Sequence, residues 1–233
     1  MDIQKKLSWF MRAGVTFLCA ESPKSLAVQN TSAPADKQSP ATAQAATFAS
    51  QATTLDELNT EKQNFDLSSL KKTATHTILG AGATKPKLMC ILDMPDADSD
   101  RSGEPLTGPQ MEQLKKMMLA IHLDMEKDVY VAYFSPWRTP GNRPLTEAER
   151  ALFLPFLTKE ISFVQPQTIL LFGAGLCQSL LKISTLTKAR GEWHTWENIP
   201  VRVTLALATL KTTPLRQQAW SDLQQVEKKL SPS

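Results

Sequence analysis

KLMCILDM, residues 87–94, is apolar without a break from Leu88 to Leu92, and an acid follows at Asp93. A run this short and continuous reads as a β-strand covered on both faces. Two similar runs follow, residues 129–135 (VYVAYFS) and 168–174 (TILLFGA), and a fourth, residues 201–207 (VRVTLAL), is strand-like with one charge. Helical patterns fill the intervals. Met111, Leu114, Met118 and Ile121 share one face behind Pro109, which suits a first turn. Thr146 and Glu149 form a capping box ahead of Leu152, Phe156 and Leu157. Residues 175–181 continue from the third strand, and Pro214 opens a last helix carrying Leu215, Ala219, Leu223, Val226 and Leu230. Strand alternating with helix predicts an α/β fold. It is a three-layer α/β/α sandwich on a mainly parallel central sheet of about four strands. Ligands bind such sheets at the carboxyl ends of the strands, so the loops after Met94, Ser135, Ala174 and Leu207 are the informative ones.

Outward from these strands the composition changes. The folded domain is expected over residues 55–230. Residues 21–54, rich in Ala, Ser, Thr, Gln and Pro, hold few large apolar side chains and read as a disordered linker. Residues 1–20 place Leu7, Phe10 and Met11 at helical spacing beside Trp9, and Arg12 interrupts the apolar stretch. They read as a short amphipathic helix rather than an export signal. The whole chain of 233 residues is 42% hydrophobic and 21% charged, enough for a packed core. A net charge of +3 permits a nucleic-acid partner without arguing for one. The three cysteines, Cys19, Cys90 and Cys177, form no CxxC pair, which excludes a disulfide scaffold and a zinc ribbon and fits a reducing cytoplasm. No apolar run approaches the ~18 residues of a membrane span. The chain is read as a cytoplasmic monomer without a metal site.

The loops carry the candidate chemistry. Residues 95–108 hold Asp96, Asp98, Asp100 and Glu104, an alternation that hints at a calcium loop but lacks its glycine and its final Glu. The same loop leads into a helix amino terminus, a place where anions bind. Residues 135–144 (SPWRTPGNRP) offer Trp137, Arg138 and Arg143 on a proline-stiffened frame. Two readings stand side by side: an exposed aromatic and cations for a phosphate backbone or a stacked base, or a structural loop whose Trp covers the sheet. Residues 185–196 mix Lys188, Arg190, Trp193, His194 and Trp196, either a nucleic-acid surface or an anchored connection. Lys211 closes the last loop. His76, His122 and His194 have no partner by spacing, and Gly173 with Gly175 is too little for a dinucleotide fingerprint.

Taken in order, these segments resemble the uracil-DNA glycosylase superfamily, and most of all the bacterial type 4 family. The residues that carry the resemblance are 70–75 (LKKTAT), 100–108 (DRSGEPLTG), 129–131 (VYV), 136–144 (PWRTPGNRP), 155–157 (PFL), 190–193 (RGEW) and 220–223 (WSDL). The resemblance implies base-excision repair. A uracil is flipped out of DNA, stacked on an aromatic face and read by an Asn. An acidic residue serves the cationic sugar, and a His stabilises the departing uracil anion.

This chain departs from that pattern at most of the implied positions. Asp93 stands for the family's Glu, one methylene shorter, and is the candidate catalytic group. Met94, Pro95 and Asp96 follow it in the base pocket, with Asp96 replacing a glycine. Leu106 stands for the stacking Phe, Tyr133 for the uracil-reading Asn and Ala206 for the His. Tyr133 is open to several readings: it stacks a base, blocks the pocket, or ends a strand in the core. Trp137, Arg138, Arg143, Arg190 and Lys211 are the DNA-binding candidates. Ser68, Trp137 and Phe153 fall near the family's cluster-ligand cysteines, so no iron-sulfur cofactor is expected. The resemblance thus implies a DNA partner and a hydrolase whose uracil excision is weak or lost. The alternative is a non-catalytic DNA-binding or protein-interaction member of the superfamily.

Overall fold

A computed structural model describes residues 39–231; the expected amino-terminal helix lies outside them. The four expected strands are present as β2 (Leu88–Leu92), β3 (Val129–Tyr133), β4 (Thr168–Phe172) and β6 (Ile199–Thr204), all parallel to their neighbours among them. Two short strands extend the sheet to six. β1 (Ala81–Gly82) pairs antiparallel with β3, and β5 (His194–Trp196) pairs antiparallel with β6, giving the order β1-β3-β2-β4-β6-β5. Both edges are too short to show periodicity, which is why the pattern announced only four strands.

The central strands are buried on both faces, and their side chains sort by parity. Leu88, Cys90 and Leu92 join Val129, Val131, Leu170 and Phe172 on one face. Met89 and Ile91 join Tyr130, Ala132, Ile169 and Leu171 on the other. The first face is covered by α4 (Gly108–Ala120) and α8 (Thr213–Leu230), through Met111, Leu114 and Met118 and through Ala219, Leu223 and Val226. The second is covered by α5 (Glu147–Val164), whose capping box at Thr146 and Glu149 is formed as expected. Smaller helices lie in the connections: α3 (Ala97–Ser102), α6 (Ala174–Leu176) and α7 (Leu186–Ala189).

The linker reading fails for the part of residues 21–54 that is described. Residues 40–51 form α1 (Pro40–Gln51), followed by α2 (Leu55–Asn64), so the folded unit begins before residue 55. Ser39 caps α1 from its side chain, Pro40 takes the first turn, and Thr42, Ala45 and Ala49 form its buried stripe. Ala is the best helix former and lets backbones approach closely. A count of large apolar residues misses that kind of core. Phe48 and Phe65 meet edge-on at 6.0 Å, and Phe65 meets Phe156 of α5 at 5.2 Å.

The topology decides where a site opens. The chain leaves β2 toward the α4 face and leaves β4 toward the α5 face. These strands are adjacent and parallel, so a crevice forms beyond their carboxyl ends.

Candidate functional site

Beyond β2 the backbone carries one more ladder bond, from Ser135 N–H to the Asp93 carbonyl at 3.0 Å, which fixes the Asp93 side chain at the mouth of the crevice. A cavity of about 350 Å³ opens there, lined by Leu92 through Asp96, Gln110, Asn142, Pro144, Phe172 and residues 206–209. Phe172, Leu92, Met94, Ala206 and Leu207 make most of its wall apolar. Asp93, Asp96, Gln110, Asn142 and Thr209 supply the polar groups.

Asp93 is the unusual member. Its Oδ1 is buried and accepts no hydrogen bond from any described residue. A buried acceptor left unpaired costs about 1–3 kcal/mol, so such a group asks for an explanation. Burial pushes its carboxyl up to about 6, with Arg150 acting in the opposite direction. Glycines make room for it on the β4 side. A Cβ at Gly173 would stand 3.4 Å from Asp93 Oδ2 and 3.5 Å from the Ala206 methyl, and Gly173 sits at φ +109. Asp93 and Ala206 thus face each other across this glycine.

The remaining loop acids have structural partners. Asp96 caps α3, accepting from the N–H groups of Asp98 and Ser99. Asp100 accepts from the Thr75 and His76 N–H groups at 2.8 and 3.3 Å, and Asp98 pairs with Arg101. The calcium-like alternation is a cap and a loop anchor. The amino terminus of α4 is no anion site either, because Asp96 and Asp98 crowd Gly108.

Met94, Pro95, Asp96 and Ala206 are brought together around Asp93 as expected, whereas Leu106 and Tyr133 are not. Leu106, at φ +64, turns toward a separate hollow lined by Gly82, Lys115 and Leu119. Tyr133 is a core side chain, 4% exposed, packed among the residues of the α4 face. Its buried hydroxyl completes no hydrogen bond, and burial pushes the phenol up to about 12. Of its readings, stacking on a base is removed.

The basic and aromatic candidates divide likewise. Trp137 is 1% exposed, donates from Nε1 to Thr77 Oγ1 at 3.0 Å and packs on Phe153. It is the structural anchor, not an exposed platform. Arg190 is bound to Asp222 and Gln218 of α8 and lines a different cleft. Its segment is an anchored connection, with His194 held by the Ala189 carbonyl and Trp193 under Arg202. Arg138 Nε donates to Asn142 Oδ1, and Arg143 holds Glu149 through two nitrogens. Both flank cavity-lining residues. Lys211 is exposed two residues beyond Thr209. Gln110 and Asn142 escaped sequence reasoning, because a helix first turn and a proline-loop tip bear no motif of their own.

The residues matched by the uracil DNA glycosylase superfamily model are 79–224, spanning β1 to α8 and including every cavity-lining position. The chain belongs to the uracil-DNA glycosylase superfamily. It is 25% identical over 187 residues to the type-4 uracil-DNA glycosylase of Saccharolobus solfataricus, covering 76% of this chain and 87% of that one. With the type-4 uracil-DNA glycosylase of Archaeoglobus fulgidus it shares 26% over 182 residues, 74% of this chain and 91% of the relative. With that of Thermotoga maritima it shares 27% over 124 residues, 52% and 64% respectively.

The cluster that the type 4 resemblance implies does not fit the residues present. Trp137 and Phe153, near the implied ligand positions, are fully buried with ring centroids 5.6 Å apart, and Ser68 Oγ is taken up by the Leu70 N–H. Aromatic rings fill the space, and among the described residues no thiol points into it. Cys90 and Cys177 are buried elsewhere, and burial keeps both protonated.

Proposed function

We propose that this chain is a DNA glycosylase of the base-excision class, acting on a base turned out of the stack, with a low rate on uracil. The observation that carries this reading is the buried carboxylate of Asp93, its Oδ1 unpaired among the described residues, at the mouth of a largely apolar cavity within the span matched by a glycosylase superfamily. In the reaction the bond from C1′ to the base nitrogen breaks, its electron pair leaves with the base, and water adds to C1′. Asp93, ionised, orients that water, accepts its proton and opposes the positive charge of the sugar.

The low rate follows from what surrounds it. The wall opposite Asp93 is the Ala206 methyl, so no cation or donor meets the departing anion there. Loss of one such donor costs about 10²–10³ in rate. Leu106 and Tyr133 face elsewhere, so aromatic stacking and the implied Asn contact are missing as well. Arg138 and Lys211 are the cations proposed to meet phosphates. Arg143 is less available because Glu149 holds it. The protein is taken to act as a monomer in the cytoplasm.

A second reading rests on the same rim: a member that binds DNA and leaves the base uncut. Single-turnover excision from a single-stranded oligonucleotide with one uracil, followed by alkaline cleavage of abasic sites, separates the two. Slow cleavage abolished by Asp93→Ala supports the glycosylase. No cleavage by a folded protein that binds the oligonucleotide, with a strong salt dependence, supports the second reading. Ala206→His, at the implied position that does line the cavity beside Asp93, is expected to raise the rate on uracil.

A further inference from the structure

Arg150 lies in the first turns of α5, half-buried, and lines a small hollow with Glu147, Gln178, Ser179 and Lys182. Its guanidinium forms neither an ion pair nor a side-chain hydrogen bond with any other described residue, unlike Arg143, Arg190 and Arg202. Glu149, one residue away, is already taken by Arg143 and the Thr146 N–H. The nearest feature that accounts for Arg150 is across Gly175. A Cβ there would stand 2.5 Å from Arg150 Nη1 and 3.2 Å from Asp93 Oδ1. Gly175 has ordinary helical backbone, so its conformation does not require glycine. What it provides is room. It opens a gap through which the free guanidinium and the unpaired carboxylate oxygen face each other.

We propose that Arg150 is the positioning residue of Asp93, acting through the gap left by Gly175 and holding the carboxylate as an anion aimed into the cavity. The pairing stands on this geometry; its consequence for turnover rests on the glycosylase reading above. Other neighbours do not supply the charge. Cys177, on the turn after α6, has its thiol donated to the Gly173 carbonyl and pushed up to about 12, so it is neutral. Asp96, on the same loop, is engaged at the cap of α3 and carries the wrong sign. β4 and residues 206–209 bring no charged side chain. An opposite charge several Å from a desolvated carboxylate favours its ionised form, as Arg150 does here.

The test is a carboxyl-carbon NMR titration of Asp93 in the full chain, assigned by Asp93→Asn, alongside the pH profile of single-turnover excision. In Arg150→Gln the Asp93 midpoint is expected to move upward by about 1 pH, the smaller end of what a neighbouring charge does. Arg150→Lys is expected to restore most of it. Gly175→Ala, which drives the guanidinium aside without straining the backbone, is expected to move the midpoint the same way. The acid limb of the excision profile follows the midpoint in each variant. An unchanged midpoint in folded Arg150→Gln and Gly175→Ala overturns the proposal, and if Arg150→Gln does not fold, Gly175→Ala decides alone. A midpoint that moves in a protein with no excision upholds the Arg150–Asp93 pairing and instead removes the glycosylase reading.

Discussion

Two buried carboxylates, Glu160 of α5 and Asp93 just beyond β2, are treated in opposite ways. Glu160 of α5 is wholly buried and fully occupied: Lys62 of α2 donates to one oxygen and the Tyr130 hydroxyl donates to the other at 2.8 Å. Asp93 has one oxygen with no donor among the described residues. The first ties two helices to the sheet, and nothing about it is available to a ligand. The second has a cavity in front of it and a guanidinium held out of contact behind it. Satisfied buried charge marks structure; unsatisfied buried charge at a strand's carboxyl end marks the place to look for chemistry.

The comparison is broken most severely at Glu160. Glu160→Ala leaves the Lys62 ammonium and the Tyr130 hydroxyl buried without an acceptor, and urea unfolding is expected to show a loss of about 4 kcal/mol. Replacing the trio together, Lys62→Met with Tyr130→Phe and Glu160→Leu, is expected to recover most of it, since no charge is then stranded. Asp222 is a second satisfied acid, accepting from Arg190, Arg202 and Thr204 where α8 meets β6. Asp222→Ala is expected to cost about 3 kcal/mol by the same measurement.

Asp93 is expected to behave in the opposite sense. Its carboxyl is raised to about 6 from an ordinary 3.8, so the native state holds the proton more tightly than the unfolded chain. The stability this represents is complete below about pH 4 and is lost as pH rises through about 6. Asp93→Asn is therefore expected to be more stable than the natural chain at pH 8, by about 3 kcal/mol, and close to it at pH 3.5. Melting curves at the two pH values check this, and a variant equally destabilised at both removes the contrast with Glu160. The smallest effect belongs to the exposed rim. Arg143 holds the Glu149 carboxyl down to about 2, below its ordinary 4.5, so that stability is present above about pH 4.5 and lost as pH falls through about 2. Arg143→Ala is expected to lower the melting temperature least of these variants at pH 7, and the difference to close in strong acid.

The central strands and α4, α5 and α8 were legible because continuous apolar runs and period-3.6 stripes are local signals. Asp93 was legible too, since it ends a strand whose carboxyl end the topology makes a crevice. What escaped was of two kinds. Residues 40–51 hid their helix because their buried face is alanine, which transfers little apolar area per residue yet packs closely. Trp137 was ambiguous because a Trp beside Arg reads the same whether its ring faces solvent or, as here, Phe153.

The sequence by itself determined the α/β/α layering and the superfamily, and it set Leu106, Tyr133 and Ala206 at the positions where the resemblance implies a Phe, an Asn and a His. Those facts depend on residue identity and order along the chain. Only the tertiary structure decided that Gln110 and Asn142 share a cavity with Asp93, that Leu106 and Tyr133 leave it, and that Arg150 meets Asp93 across Gly175. Arg150 and Asp93 are on different elements, brought together because the chain crosses β2 on its way from β3 to β4. Such a meeting depends on how strands are ordered and which way loops turn. No local periodicity encodes the distance between two groups so far apart along the chain.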